Sequence, residues 1–242
     1  MELKVIARLR GDFTEKFGVP RQSGLAKTLS RVVFEPEFRD PNALRGIEEY
    51  SHLWLLWRFD GVGGERGATV RPPRLGGNAR VGVFATRSPF RPNPIGLSLV
   101  RLVKAEREGD LGVVLTVEGA DMTDGTAIFD IKPYLPYADC ATDASGGFGE
   151  ALKGAKLKVE APPAEAAKLP PDKLAALISA LEQDPRPAYQ DDGREYGMSY
   201  AGFEVKFAVK GGTLTVKAIE PAQRGGKVKL LTRAKRDHNS EL

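Results

Sequence analysis

A mainly β fold is predicted: an N-terminal barrel over residues 1–140, a linker over 141–169, a small α+β domain over 170–221 and a basic tail over 222–242. Three observations predict it. The first 140 residues hold seven strand-like runs and only one short helical signal, which favours a closed or strongly curved sheet. At Ala141 the composition shifts to Ala, Asp, Gly and Pro, with Ala161-Pro-Pro-Ala-Glu-Ala-Ala167 reading as a flexible crossing. Beyond it, one amphipathic helix is followed by a single hairpin.

The runs are Leu3 to Ala7, Thr28 to Phe34, His52 to Phe59, Arg80 to Ala85, Leu97 to Lys104, Gly112 to Glu118 and Thr126 to Lys132. Several are continuously apolar and bounded by Gly or Pro, as buried strands are. Asp40-Pro41 introduces the one short helix, Asn42 to Glu49. In the second domain, Pro170-Pro171 starts a helix to Gln183 whose Leu174, Leu177, Ile178 and Leu181 fall on one face. Glu204 to Lys210 and Thr213 to Ile219 pair across Gly211-Gly212.

The chain of 242 residues is long enough to bury a sizeable core, and its longest apolar patch, Leu53 to Trp57, is far too short to span a membrane. Its start is too charged for a secretion signal, so a cytoplasmic location with no membrane partner is expected. Cys140 alone excludes an internal disulfide, and one cysteine with His52 and His238 does not make a typical zinc site, so no metal is expected. The net charge of +4 permits a nucleic-acid partner without requiring one.

Charge is instead concentrated. From Arg66 to Lys104 there is no Asp or Glu, while Arg66, Arg71, Arg74, Arg80, Arg87, Arg91, Arg101 and Lys104 are all cationic. Within this stretch, Pro89, Pro92 and Pro94 fix φ and push Ser88, Arg91 and Asn93 toward extended backbone. A loop so stiffened presents Arg87, Arg91 and Asn93 with little entropy left to lose on binding an anion.

Three further clusters stand out. Lys16 to Gly24 places a cation, an amide and small residues on the loop after the first strand. Asp124-Gly125 turns into an apolar strand that delivers Asp130 and Lys132 to the same side of the sheet, just before Pro133 and Pro136 stop it; such an acid and base can serve a site at the barrel rim or simply pair on the surface. Asp184-Pro-Arg-Pro-Ala-Tyr189 repeats the display of an arginine between prolines, with an acid and a phenol beside it. His52, at the mouth of a buried strand, reads as a structural histidine.

Pro20-Arg-Gln-Ser-Gly24, Arg71-Pro-Pro-Arg-Leu-Gly-Gly-Asn78, Phe84 through Gly96, Asp130-Ile-Lys-Pro-Tyr134 and Asp184 through Tyr189 together resemble the TrmO (YaeB, TsaA-like) family, from the first strand to about Pro221. The resemblance implies a homodimeric β-barrel methyltransferase that uses S-adenosylmethionine. It further implies methylation at N6 of threonylcarbamoyladenosine beside the tRNA anticodon. By the same resemblance, cofactor contacts fall on Gln22, Ser23 and Gly24, on Asp60 and Gly61, on Arg87 and Leu97, and on Ile128, Phe129, Asp130 and Ile131.

The chemistry suits these residue types. Methyl transfer from a sulfonium is a direct displacement that needs alignment and exclusion of water. A carbamoyl group makes the adenine N6 proton more acidic, so its removal is the natural activation. Asp130 is the candidate to accept that proton or to orient the sulfonium, and Asn93 to hold the base edge. Arg71, Arg74, Arg80, Arg91, Arg186 and Tyr189 are the candidates to grip or stack on the splayed anticodon loop. A noncatalytic RNA-binding barrel, or a methyltransferase of a small metabolite, remains the alternative.

Overall fold

Alternation of inward apolar and outward polar residues closes the N-terminal sheet on itself. In the computed structural model, which describes residues 2–61, 67–72, 79–151, 156–186 and 193–222, the strands of this half are β1 (Ala7–Arg10), β2 (Leu29–Phe34), β3 (His52–Arg58), β4 (Thr69–Val70), β5 (Val81–Gly82), β6 (Ile95–Arg107), β7 (Val113–Glu118) and β8 (Ala127–Pro133). Six of them form a closed barrel in the order β1-β2-β7-β6-β3-β8, antiparallel at every step, with β8 returning to β1. Leu9, Val32, Leu53, Leu55, Val100, Leu115, Val117 and Ile128 fill its interior, each at most 1% exposed. Closure leaves these strands with no unpaired edge between them.

Register fixes which side chains face outward. Leu56 lies between Leu97 of β6 and Asp130 of β8, so these three form one row across the outside of the barrel. Beside that row the pairing of β3 with β8 shifts, Leu56 facing Asp130 and Trp57 facing Ile128, which leaves Phe129 as the extra residue of a bulge.

Three expected elements take another form. The first strand begins at Ala7 rather than Leu3, because pairing with β2 places Ala7 opposite Phe34 and Arg10 opposite Arg31. The expected helix over Asn42 to Glu49 is two 3-10 turns, Pro41–Leu44 and Ile47–Glu49. Gly46, at φ +83°, breaks the ladder between them. The run from Arg80 gives only the short β5, paired with β4, before a 3-10 turn at Val83–Ala85, so it stays outside the barrel.

The remaining elements are α1 (Pro136–Asp139), α2 (Phe148–Ala151), β9 (Lys158–Glu160), α3 (Pro163–Ala166), α4 (Pro171–Leu181), β10 (Glu195–Tyr200), β11 (Phe203–Lys210) and β12 (Thr213–Pro221). The expected hairpin is β11 and β12, within a sheet ordered β10-β11-β12-β9. Part of the segment read as linker therefore belongs to the C-terminal sheet, since β9 runs parallel to β12. Its signal is short: in Lys158-Val-Glu160 only Val159 is apolar. Helix α4 lays Ala176, Leu177, Ala180 and Leu181 into the core of this sheet.

That core also takes in the segment between β1 and β2. Phe13, Phe17, Val19 and Ala26 pack with Met198, Tyr200, Phe207 and their neighbours. Phe13 sits 5.2 Å from the Tyr200 ring, and Phe17 stacks 6.3 Å from Phe207. Gly18, at φ +94°, lies against Met198, where a Cβ would stand 2.3 Å from the thioether methyl. Polar ties reinforce the seam: Lys173 pairs with Asp12 at 2.6 Å, and the Lys27 N–H donates to Ser179 Oγ at 2.9 Å. The loop is thus built into the C-terminal domain although it starts and ends in the barrel.

Candidate cofactor cavity and active site

A cavity of about 540 Å³ opens between this loop and the barrel, within the range that takes a cofactor-sized ligand. Lys16, Arg21 and Gln22 form one wall, Trp57, Phe59 and Asp60 a second, and Thr86, Arg87, Pro89 and Arg91 a third; Ile95, Gly96, Leu97, Asp121, Met122, Thr123 and Thr126 complete it. The Trp57 and Phe59 rings lie 4.2 Å apart and give it an apolar side. Gly96 allows the indole to rest on the β6 backbone, since a Cβ there would come within 2.2 Å of the ring.

Gln22 and Arg87 meet across the cavity, Arg87 Nη1 donating to Gln22 Oε1 at 2.7 Å. Ser23 and Gly24 hold the loop from behind: Ser23 Oγ accepts from the Leu99 N–H at 3.1 Å, and the Gly24 N–H donates to the Gly119 carbonyl at 2.8 Å. Asp60 pairs with Arg58 at 2.8 Å, while its carbonyl accepts from Lys16 Nζ at 2.7 Å; Gly61 is exposed beside it. The structure therefore gathers Gln22, Asp60, Arg87 and Leu97 around one space, with Ser23, Gly24 and Gly61 adjoining.

The β8 residues stand apart. Ile128 is fully buried in the barrel and Ile131 packs against the same core. Asp130 points outward, pairs with Lys132 Nζ at 2.9 Å and accepts from the Ile131 N–H at 2.9 Å. The surface pairing weighed from the sequence is thus formed. Asp130 is not among the cavity's lining residues, but its row through Leu56 sets it about 10 Å, two strand spacings, from Leu97. Asn93 is exposed between Arg91 and Ile95, both of which line the cavity.

Two arginines are used internally. Arg91 Nη1 reaches the Thr86 carbonyl at 2.7 Å and those of Val83 and Ser88 at 3.4 Å, fastening the proline-rich turn, and its guanidinium lies 5.9 Å from the Phe84 ring centre. Arg186 is held by Asp184 through two bonds of 2.9 and 3.0 Å, and its side chain is only 12% exposed. Instead of displaying a guanidinium to solvent, as expected, Arg186 locks the loop whose Asp184 and Arg186 carbonyls accept from Arg21. Arg71 and Arg80 are exposed, Arg80 donating to Thr69 Oγ1 at 3.1 Å; Arg74, Tyr189 and the tail lie outside the described residues.

Sequence reasoning assigned no role to Asp121, Trp57, Phe59 or Met122. Asp121 carried one signal, an acid between Ala120 and Met122, which are 2% and 3% exposed. Burial pushes the Asp121 carboxyl up from its usual range, against the opposing pull of Ser98, backbone N–H groups and Arg87.

Residues 8–140 match the family described as the tRNA-methyltransferase O N-terminal domain, and residues 155–222 match the TrmO C-terminal domain. The chain is 42% identical over 233 residues to the Escherichia coli tRNA (adenine(37)-N6)-methyltransferase, covering 91% of this chain and 98% of that protein. A Pseudomonas aeruginosa relative named for dependence on S-adenosylmethionine is 42% identical over 204 residues, covering 80% of this chain and 86% of the relative. The crystal structure of TrmO from Pseudomonas aeruginosa superposes with a TM-score of 0.71 at 33% identity, covering 90% of this chain and 98% of that one.

The fold and its cavity accordingly define a methyltransferase that uses S-adenosylmethionine on a β-barrel rather than on a doubly wound sheet. More narrowly, the chain belongs to the tRNA-methyltransferase O family. The donor set fits that cofactor: Arg87 suits a carboxylate, Asp121 a cation, and Trp57 with Phe59 a flat base.

Proposed function

We propose that this chain methylates N6 of adenosine 37 in tRNA, and that the adenosine it accepts already carries the threonylcarbamoyl group, so that the product is its N6-methyl derivative. The observation that carries this reading is the cavity: Gln22 and Arg87 bridge it, and the stiff turn holding Asn93 edges it. S-adenosylmethionine supplies an electrophilic methyl group on a sulfonium. Arg87 holds the cofactor's carboxylate, and the loop from Gln22 to Gly24 fixes its position. The rigid turn from Thr86 to Gly96 lets Asn93 meet the base edge with little reorganisation. Asp130, about 10 Å from Leu97 along the outer row, accepts the N6 proton.

The exposed Arg71 and Arg80 track the phosphates of the anticodon loop, and Arg74, Tyr189 and the tail, outside the described residues, are further candidates for that RNA. A second copy of the chain forms the homodimer on a barrel face away from the cavity, where Leu29 is 43% and Val103 40% exposed. The enzyme works in the cytoplasm. Methyl transfer to tRNA carrying or lacking the threonylcarbamoyl group tests the substrate: only the carrying form is expected to react, and equal rates on both would overturn it. Asp130→Asn is expected to reduce turnover at least about 100-fold with cofactor affinity retained. Wild-type turnover in that variant would remove Asp130 as the proton acceptor.

A further inference from the structure

Asp121 is a half-buried acid in the cavity wall, held in one orientation. The Trp57 indole can only donate, and it gives its N–H to Ser98 Oγ at 2.8 Å. The hydroxyl proton of Ser98, itself 0% exposed, is therefore directed at Asp121 Oδ1 in a short contact. The Ser23 backbone and the positive charge of Arg87 also pull this carboxyl toward its ionised form. Every one of these neighbours favours the ionised form, while burial opposes it. The other acid of the cavity, Asp60, is paired with Arg58 and 48% exposed. Asp121 is thus the carboxylate that water and local cations screen least.

We propose that the Asp121 carboxylate recognises the sulfonium charge of the cofactor, so that the cavity selects S-adenosylmethionine over S-adenosylhomocysteine. The inference rests on the reading that this cavity holds the cofactor. Methyl transfer breaks the bond between sulfur and the methyl carbon, leaving the bonding pair on sulfur as a neutral thioether. The charge that Asp121 attracts vanishes in that step, so the spent cofactor is held less tightly and exchanges for a fresh one. Arg87 meets the carboxylate common to both forms and does not distinguish them.

Calorimetric binding of the two forms to the full chain tests this. Asp121→Asn is expected to weaken S-adenosylmethionine about tenfold or more and to leave S-adenosylhomocysteine within about twofold of wild type. Equal weakening of both, which a contact to the shared ammonium would produce, overturns the proposal, as does no change in either. Leu97→Glu keeps failure of the cavity reading distinct. Wild-type affinity for both forms in that variant removes the cavity as the cofactor site. Weakening of both by Leu97→Glu, with Asp121→Asn treating the two alike, removes the Asp121 assignment alone. Wild-type protein gives a check that needs no variant: an amine analogue with a protonated nitrogen in place of the sulfonium is expected to bind like S-adenosylmethionine. Wild-type binding of S-adenosylhomocysteine as tight as that of S-adenosylmethionine overturns the selection.

Discussion

The two hydrophobic cores are built from differently sourced parts. The barrel core draws chiefly on its own strands, with Leu9, Val32, Leu53, Leu55, Leu115 and Ile128 meeting inside a closed sheet. The C-terminal core is completed by Phe13, Phe17, Val19 and Ala26, which come from the chain between β1 and β2. That same loop carries Gln22, Ser23 and Gly24. The barrel supplies the floor of the cavity, whereas the shape of the loop bearing Gln22, Ser23 and Gly24 is set by packing in the other domain. Damage to the C-terminal core should therefore reach cofactor binding, while comparable damage deep in the barrel, away from the cavity, should cost stability alone.

The largest expected effect is on stability. Phe207→Ala, at a site 0% exposed and stacked on Phe17, is expected to lose about 3–5 kcal/mol in denaturant unfolding. Leu115→Ala, buried in the barrel at 0% exposed, should lose about 2–5 kcal/mol. The comparison breaks if only one of the two is felt. Next, Gly18→Ala forces a side chain at φ +94° against Met198 and is expected to cost about 1–3 kcal/mol. An unchanged melting temperature would show that the loop is not seated as described.

A smaller effect is expected at the seam between the two regions. The folded state raises the pKa of Asp121, so its proton is bound more readily folded than unfolded. Its contribution is full below the unfolded pKa and is lost as pH rises toward the folded one, so at neutral pH the ionised carboxyl costs stability. Asp121→Asn should therefore melt no lower than wild type at pH 7 and lose that advantage in acid; a clear drop in melting temperature at pH 7 would contradict the sign. The smallest effect belongs to the exposed pair Lys206–Glu220, where Lys206→Ala should change stability by less than about 1 kcal/mol.

Where the sequence carried bounded apolar runs, it was legible. The cores of β2, β3, β6, β7 and β8 follow from their apolar runs bounded by Gly or Pro, and the hairpin of β11 and β12 from the Gly211-Gly212 turn. Legibility failed where pairing in space decides the outcome. The start of β1 is set by its register with β2, and β9 offers a single apolar residue whose partner lies far along the chain. At the cavity, Gln22 and Arg87 lie in motifs, whereas Asp60 and Leu97 came only with the family resemblance; the structure gathers all four around one space. Asp121 was not legible, because its meaning comes from Ser98 and Trp57, which reach it from other strands. Arg186 misled, since its proline-flanked display is spent on Asp184.

The dependence of the loop bearing Gln22, Ser23 and Gly24 on the C-terminal core is tested most directly by Met198→Ala, a residue that touches Gly18 of the loop and does not line the cavity. S-adenosylmethionine affinity would be measured at a temperature where this variant and the barrel control Leu115→Ala are both folded. The account predicts about tenfold weaker binding, roughly 1.4 kcal/mol, for Met198→Ala, with wild-type affinity for Leu115→Ala. Unchanged affinity in Met198→Ala, or an equal loss in both variants, would contradict it.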